Sequence, residues 1–330
     1  MQKTDKAGLV SIIIPVYNRQ EFIKDCIDSV TAQSYQNYEI IMVDDGSTDN
    51  SYDLCLALAA QDDRIKVFSA DHGGVSNARN IALDKASGEY VFFLDSDDAI
   101  YPLLLETLVT AMQGSNAAIG GSEVAAVTNA HWDLVRQKCC ESPTPGETQF
   151  LTFEESLDAM FCHSSPLGCI GGVMIRRDLI KDTRFRTDLH IGEDFYFIYK
   201  NLIKGASCIF LRPKWYFSRI HDSNLSLDYS YSGFWSRFYR RKLVWESEES
   251  FNRKKYADIQ KIDAFGCFMR CFNRNRPYSP DGKKMRKTLK QHKKAMLPAF
   301  TPKQRLVFNC FLYFPWSTAH IVKLKRNKQR

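Results

Sequence analysis

The sequence predicts an α/β fold with a mostly parallel central sheet, followed by a basic helical region. Short β-branched runs alternate with amphipathic segments over the first hundred residues, the pattern of repeated strand–helix units. The 330 residues exceed the roughly 100 to 200 typical of one domain, so a domain with an appendage is expected. Charge divides the chain at the same place: residues 1–228 carry 20 Lys/Arg against 32 Asp/Glu, a net −12, and residues 229–330 carry 25 against 6, a net +19. The expected organisation is therefore a domain over 1–228, with halves 9–112 and 113–228, and a basic helical region over 229–330.

Leu9 to Ile14 is a continuous apolar run, as a parallel strand covered on both faces requires. A helix follows over Gln20 to Gln33, with Phe22, Ile23, Cys26, Ile27 and Val30 at helical spacing. Strands are expected at Glu39–Val43, Ile65–Phe68 and Tyr90–Leu94, with helices at Asp49–Ala59 and Ser76–Lys85. Pro102 suits the first turn of a fourth helix. Residues 113–150, rich in Gly, Ser, Pro and Thr, are read as one strand near Ala117–Ile119 and an excursion. Beyond Phe153, Val173–Arg176, Ser207–Leu211 and Trp215–Phe217 read as strands and Glu193–Ile203 as a helix. After Tyr229 the pattern is helical, broken by the loop Asn275–Gly282 and by Pro298, Pro302 and Pro315.

With 44% hydrophobic and 25% charged residues, composition excludes both a disordered chain and a polytopic membrane protein. Ten cysteines without repeated spacing are read as reduced thiols of a cytoplasmic protein, and Cys139-Cys140 has no second pair to complete a zinc site. The N-terminus lacks a signal-peptide apolar core, and no run reaches the roughly 18 to 20 apolar residues of a spanning helix.

In open parallel sheets ligands bind beyond the carboxyl ends of the strands. Here those ends read Pro15-Val16-Tyr17-Asn18, Asp44-Asp45-Gly46-Ser47 and Asp95-Ser96-Asp97-Asp98. Asp95, Asp97 and Asp98 follow a buried run and would repel one another unless a cation neutralises them. Oxygen ligands of this kind suit Mg²⁺ or Mn²⁺ bound together with substrate phosphates. Asp44 or Asp45 could accept from a nucleobase N–H or a ribose hydroxyl, and Gly73-Gly74 before a helix carrying Arg79 would admit a ligand close to the backbone. Neither GxGxxG after the first strand nor GxxxxGK[ST] is present, which disfavours dinucleotide-cofactor and P-loop readings.

VSIIIPVYN at 10–18, VDDGSTDNS at 43–51, GGVSNARN at 73–80 and FLDSDD at 93–98 together resemble glycosyltransferase family 2. The resemblance continues through IGGVMIRRDLI at 170–180, GEDFYF at 192–197 and WYFSRIHDSNLS at 215–226, covering roughly residues 9–226. It implies the GT-A fold, a Rossmann-like nucleotide-sugar domain, and an inverting transferase. It implies that Pro15, Tyr17 and Glu21 shape the nucleotide pocket, that Asp44 or Asp45 is the uracil-side carboxylate, and that Arg79 lies beside the nucleotide. Asp97 and Asp98 would face ribose and metal with Asp95 as a third ligand candidate, and His221 would contact metal or diphosphate. Asp194, with Glu193 as neighbour or substitute, would be the general base. The chain departs from the family's common pattern at His72, often Asn or Gln, and at Ala82, often Gly.

The expected reaction transfers a sugar from a UDP-sugar to an acceptor hydroxyl, on a saccharide or lipid-linked saccharide, in cell-surface polysaccharide synthesis. Two rivals are a non-catalytic scaffold with the same fold and a sugar-nucleotide nucleotidyltransferase, which would need a glycine-rich phosphate loop where Pro15-Val16-Tyr17-Asn18 stands. The basic region has no nucleic-acid motif. Its clusters Lys283-Lys284-Met285-Arg286-Lys287 and Lys323-Leu324-Lys325-Arg326 suit an anionic membrane surface, with Phe308, Phe311, Leu312, Tyr313, Phe314 and Trp316 as an interface anchor. The expected location is the cytoplasmic face of the cell membrane.

Overall fold

Apolar residues on both faces of a strand demand cover on both sides, and Ile12, Ile13, Ile14, Ile40, Ile41 and Met42 are fully buried in the computed structural model of the chain. The structure describes residues 7–140, 146–161, 166–222, 228, 230–274 and 279–313. Two compact units result: Met1–Thr187 with Glu193–Asp222, and Asp188–Gly192 with Ser223–Arg330.

The first unit opens with β1 (Val10–Val16), α1 (Ile23–Thr31), β2 (Tyr38–Asp44), α2 (Ser51–Ala59), β3 (Ile65–Ser69), α3 (Val75–Lys85) and β4 (Tyr90–Phe93). β1 pairs in parallel with both β2 and β4, and β2 with β3. Then come β5 (Ala99–Ile100), α4 (Leu104–Gln113), β6 (Ile119–Thr128), α5 (Trp132–Cys140), β7 (Thr148–Leu151), α6 (Phe153–Phe161), β8 (Val173–Arg176), α7 (Glu193–Leu202) and β9 (Cys208–Ile220). The sheet order is β3-β2-β1-β4-β8-β6-β9-β5, with β7 also on β9. β8 is antiparallel to β4 and β6, and β5 and β7 are antiparallel to β9, so β1–β4, β6 and β9 share one direction.

Residues 113–150 differ from expectation. The strand near Ala117–Ile119 extends to Thr128, and α5 and β7 follow it. The two strands expected over 207–217 are one strand, β9, whose register against β6 shifts between Ser122 and Val124. The bulge accommodates Pro213, whose carbonyl accepts from Ser122 Oγ at 3.0 Å.

The second unit holds α8 (Tyr231–Ser250), α9 (Lys254–Arg274), α10 (Pro280–Met296) and α11 (Pro302–Tyr313). Ser230 and Ser279 cap α8 and α10, and Pro280 opens α10 in the position where its missing N–H costs nothing. Phe234, Phe238, Trp245, Phe265, Phe268, Met285 and Leu289 form the core. Phe308 and Leu312 belong to that core too, a correction to the expected interface anchor: one turn apart, both are buried rather than facing outward, and the Phe308 ring packs on Phe265 and Phe300. Leu306 and Tyr313 are exposed. The Phe311 side chain, Phe314, Trp316 and the cluster at 323–326 lie outside the described residues. Among the described residues no helix is long and apolar enough to cross a membrane.

Candidate active site

The carboxyl ends of β1, β2 and β4 deliver their polar residues to one edge of the sheet, because the three strands are parallel neighbours in register. At the end of β1 the chain turns through Asn18, in the left-handed region at φ 52°, a conformation asparagine tolerates. Asn18 Oδ1 accepts from Thr48 N at 2.8 Å and Asn18 N donates to Ser47 Oγ at 3.0 Å, which stitches the two loops together. Pro15 is half-buried in β1, whereas Glu21 stands exposed before α1.

The neighbours Asp44 and Asp45 are both buried, yet they face different partners. Asp45 accepts from Gly73 N at 2.9 Å and Gly74 N at 2.8 Å, and its Oδ2 lies 2.9 Å from His72 Nδ1. It therefore pins the glycine loop. Asp44 accepts from Ser47 N at 3.0 Å through Oδ2, while its Oδ1 is buried without a partner among the described residues. Between the two acids, Asp44 holds the unused acceptor.

The acids after β4 also divide. Asp97 Oδ2 meets His221 Nε2 at 2.8 Å and Arg19 Nε at 3.2 Å. Burial pushes the Asp97 carboxyl up, but the His221 hydrogen bond and the Arg19 charge more than offset it and hold the group below its usual range. Asp98 turns inward: Tyr216 Oη donates to it at 2.6 Å and Arg219 N at 2.8 Å. Its carboxyl is pushed well up by burial and then by the charges of Asp97 and Asp95. Asp95 is more exposed and accepts from Arg79 at 2.8 Å.

Arg79, expected beside the nucleotide, lies buried and bridges Asp95 and Glu193, donating to each at 2.8 Å. Glu193, at the first turn of α7, is pushed up to about 7 by burial and by the adjacent Asp194 charge. Asp194 Oδ1 accepts from Phe195 N at 2.6 Å. Glu193 is thereby tied through one guanidinium to the acidic loop.

Arg19, Tyr216 and Arg219 were not among the residues singled out from the sequence. Tyr216 Oη accepts from Asp95 N at 3.2 Å while donating to Asp98, so one hydroxyl sets the loop's conformation. Gly171-Gly172 make room for that ring: a Cβ on Gly171 would lie 2.6 Å from Tyr216 Oη, and Gly172 sits at φ 78°. Arg219 is held between Phe22 and Trp132, with its guanidinium carbon 4.8 and 3.7 Å from the ring centroids. It donates to the Asp97 carbonyl at 3.0 Å and to Asp25 at 2.7 Å. The only sequence signal was the position of Tyr216 and Arg219 within the same motif as His221.

Among the described residues no three His, Cys, Asp or Glu side chains gather as a metal cage. The convergence of one carboxylate and one imidazole, with Asp95 nearby in sequence, fits a divalent cation that takes one or two protein ligands and completes its shell with water and phosphate oxygens. Asp98 is committed to Tyr216 and Arg219 and serves this arrangement by fixing the loop.

The model of glycosyl transferase family 2 matches residues 11–184. Glycosyltransferase GlyG of Streptococcus pneumoniae serotype 4 (strain ATCC BAA-334 / TIGR4) is 40% identical over 112 residues, 34% of this chain and 37% of that protein. Glycosyltransferase GlyA of the same organism is 29% identical over 225 residues, 66% of this chain and 31% of that protein. The matches thus span about a third of each of those relatives. Putative glycosyltransferase EpsH of Bacillus subtilis (strain 168) is 28% identical, covering 78% of this chain and 73% of its own length. Among solved structures, S. aureus TarS 1-349 in complex with UDP-GlcNAc superposes with a TM-score of 0.68 at 20% identity, covering 91% of this chain and 86% of that one. The mannosyltransferase PcManGT of Pyrobaculum calidifontis, in complex with GDP-Man and Mn²⁺, gives a TM-score of 0.51 at 16% identity, covering 95% and 86%. These likenesses show the GT-A fold.

Proposed function

The chain belongs to glycosyl transferase family 2, and from that premise we propose that it is an inverting glycosyltransferase moving a sugar from a UDP-sugar to an acceptor hydroxyl. The observation that carries this reading is the meeting of Asp97 and His221, 124 positions apart, on an acidic loop that Arg79 joins to Glu193. Complexes of TarS with UDP and UDP-GlcNAc support a uridine donor. Those of GalNAc-T7 and PcManGT with Mn²⁺ support a divalent cation.

Asp97 and His221, with Asp95, would hold Mg²⁺ or Mn²⁺, which supplies positive charge to a departing diphosphate. The chain's own residues do the rest. Asp44 accepts from the base edge through its unused oxygen, and Tyr17 offers a ring face. Arg79 holds Asp95 and Glu193 at fixed separation, so the donor loop and the acceptor-side acids keep their register. Asp194 takes the acceptor proton as the hydroxyl attacks the anomeric carbon opposite the leaving group, inverting configuration. Two links, Arg219 to the Asp97 carbonyl and Arg79 between Asp95 and Glu193, hold the acids of both motifs in place and favour a working enzyme over a scaffold.

The acceptor in this reading is a lipid-linked saccharide of a cell-surface polysaccharide, met at the cytoplasmic face of the membrane. Lys283, Lys287, Lys290 and Lys294 are exposed along one stripe of α10, and each adds about 1 kcal/mol near anionic lipid. Sedimentation with anionic vesicles tests this, and salt-independent failure to pellet refutes it. For the reaction, Asp194→Asn is expected to bind UDP normally and lose transfer from UDP-sugars in the presence of Mn²⁺. Near-normal transfer by that variant would overturn the base assignment, and absence of metal-dependent UDP-sugar turnover by the native chain would overturn the reaction.

A further inference from the structure

The Tyr17 ring is partnered by His72, with centroids 4.3 Å apart and planes 26° from parallel. His72 comes from the loop that Asp45 organises, and its Nδ1 lies 2.9 Å from Asp45 Oδ2 and 3.0 Å from the Asp45 carbonyl. The backbone beside it is fixed by the bonds from Gly73 and Gly74 to the same carboxylate. The side chain itself is 58% exposed, so rotation about its own bonds meets little packing. An imidazole anchored through its backbone, held at one ring nitrogen by Asp45 and otherwise exposed, is suited to yield to another flat group and then cover it.

We propose that His72 is a nucleobase-recognition residue, forming with Tyr17 a two-walled clamp that closes on itself in the free chain and on the base of the donor nucleotide when that binds. The inference rests on the nucleotide-sugar reading above. It assigns the two acids of the VDDGS segment separate duties: Asp44 meets the edge of the base, and Asp45 holds the moving wall. A base accepted between two rings stacks on both faces, the geometry aromatic groups prefer at such spacing. Asn or Gln at the same place would offer an edge for hydrogen bonding and no ring face.

The test is titration calorimetry on the full chain with uridine, UDP and inorganic pyrophosphate, for the native protein, His72→Ala and His72→Phe. Loss of one stacking wall is expected to weaken uridine and UDP about 5- to 100-fold in His72→Ala. Pyrophosphate affinity is expected to stay the same. His72→Phe, which keeps a ring and loses the Asp45 contact, is expected to recover most of the affinity. Equal UDP binding by the alanine variant and the native chain overturns the clamp and leaves the transferase reading intact. A parallel loss for pyrophosphate overturns it differently, placing His72 on the diphosphate. A native chain that binds neither UDP nor another nucleoside diphosphate overturns the nucleotide-sugar reading itself, and the clamp with it.

Discussion

Asp44→Asn separates a binding role from a folding role because the two predict opposite outcomes. The native carboxylate uses Oδ2 for Ser47 N at 3.0 Å and leaves a buried Oδ1 unmet among the described residues. Asparagine can keep the Ser47 bond through its carbonyl oxygen, and it then presents an NH₂ group where Oδ1 stood. A base N–H arriving there faces a donor in place of an ionised acceptor. Hydrogen bonds to charged groups contribute about 1.5 to 3 kcal/mol, so UDP affinity should fall about 10- to 150-fold. Stability should change little, since the substitution exchanges one buried unmet polar atom for another and removes a buried charge. A shift within about 3 °C in melting temperature corresponds to about 1 kcal/mol at this size. Calorimetry with UDP and a thermal melt read the two quantities independently. UDP affinity within about twofold of the native value, or a melting temperature lowered by ten degrees or more, would refute the reasoning.

Three further outcomes follow from buried groups. Glu193, pushed up to about 7 by burial and the Asp194 charge, favours its protonated form in the folded state. Its contribution is full below about pH 4.5 and is lost as pH rises through 7, so Glu193→Gln should gain on the native chain by about 2 to 3 kcal/mol between pH 4.5 and 8 in urea denaturation; parallel pH profiles would refute this. Glu39 behaves in the opposite sense: burial opposes its charge, but Lys66, Ser11 and Ser87 more than offset that and hold it down to about 2. Its contribution is present above about pH 4.5 and lost as pH falls through 2, so Glu39→Gln should cost about 3 kcal/mol at pH 7 and nothing near pH 2, measured the same way. Tyr216→Phe strands the Asp95 N–H and Asp98 Oδ2, and should lower stability by about 2 to 4 kcal/mol in the same assay.

The sequence made β1 to β4 legible because strands covered on both faces read as unbroken apolar runs, and nothing polar interrupts Ile12–Ile14 or Ile40–Met42. The antiparallel half was harder. β6 runs ten residues with only its first four fully buried, so it lacks both continuous and alternating signals. Ser207–Leu211 and Trp215–Phe217 read as two strands on either side of Pro213, whereas a bulge carries β9 past it. At the site, the carboxylates were visible because strand-end motifs are local. Their partners were not: Asp98 meets Tyr216 and Arg219 from 118 and 121 positions away, and only the register of β9 beside β6 and β5 brings them together.

Three adjacent acidic pairs mark this edge, Asp44-Asp45, Asp97-Asp98 and Glu193-Asp194, and each pair resolves the repulsion between neighbouring carboxylates in the same way. One member is committed to the fold: Asp45 to the amides of Gly73 and Gly74, Asp98 to Tyr216 and Arg219 N, Glu193 to buried Arg79. In the proposed reaction the other does the chemistry: Asp44 with its unmet oxygen, Asp97 beside His221, and Asp194 at the first turn of α7. Sequence shows the pairs and not the division, because which carboxylate faces inward depends on donors more than a hundred positions away for two of the three. The division predicts a reciprocal pattern at the metal loop. Asp98→Asn puts an amide donor against Tyr216 Oη or Arg219 N, so it should lower stability by about 1 to 3 kcal/mol while Mn²⁺ binding by calorimetry survives in the folded fraction. Asp97→Asn should abolish Mn²⁺ binding in the folded fraction. If Asp98→Asn removes Mn²⁺ binding without destabilising the chain, the assignment of the inward member is reversed.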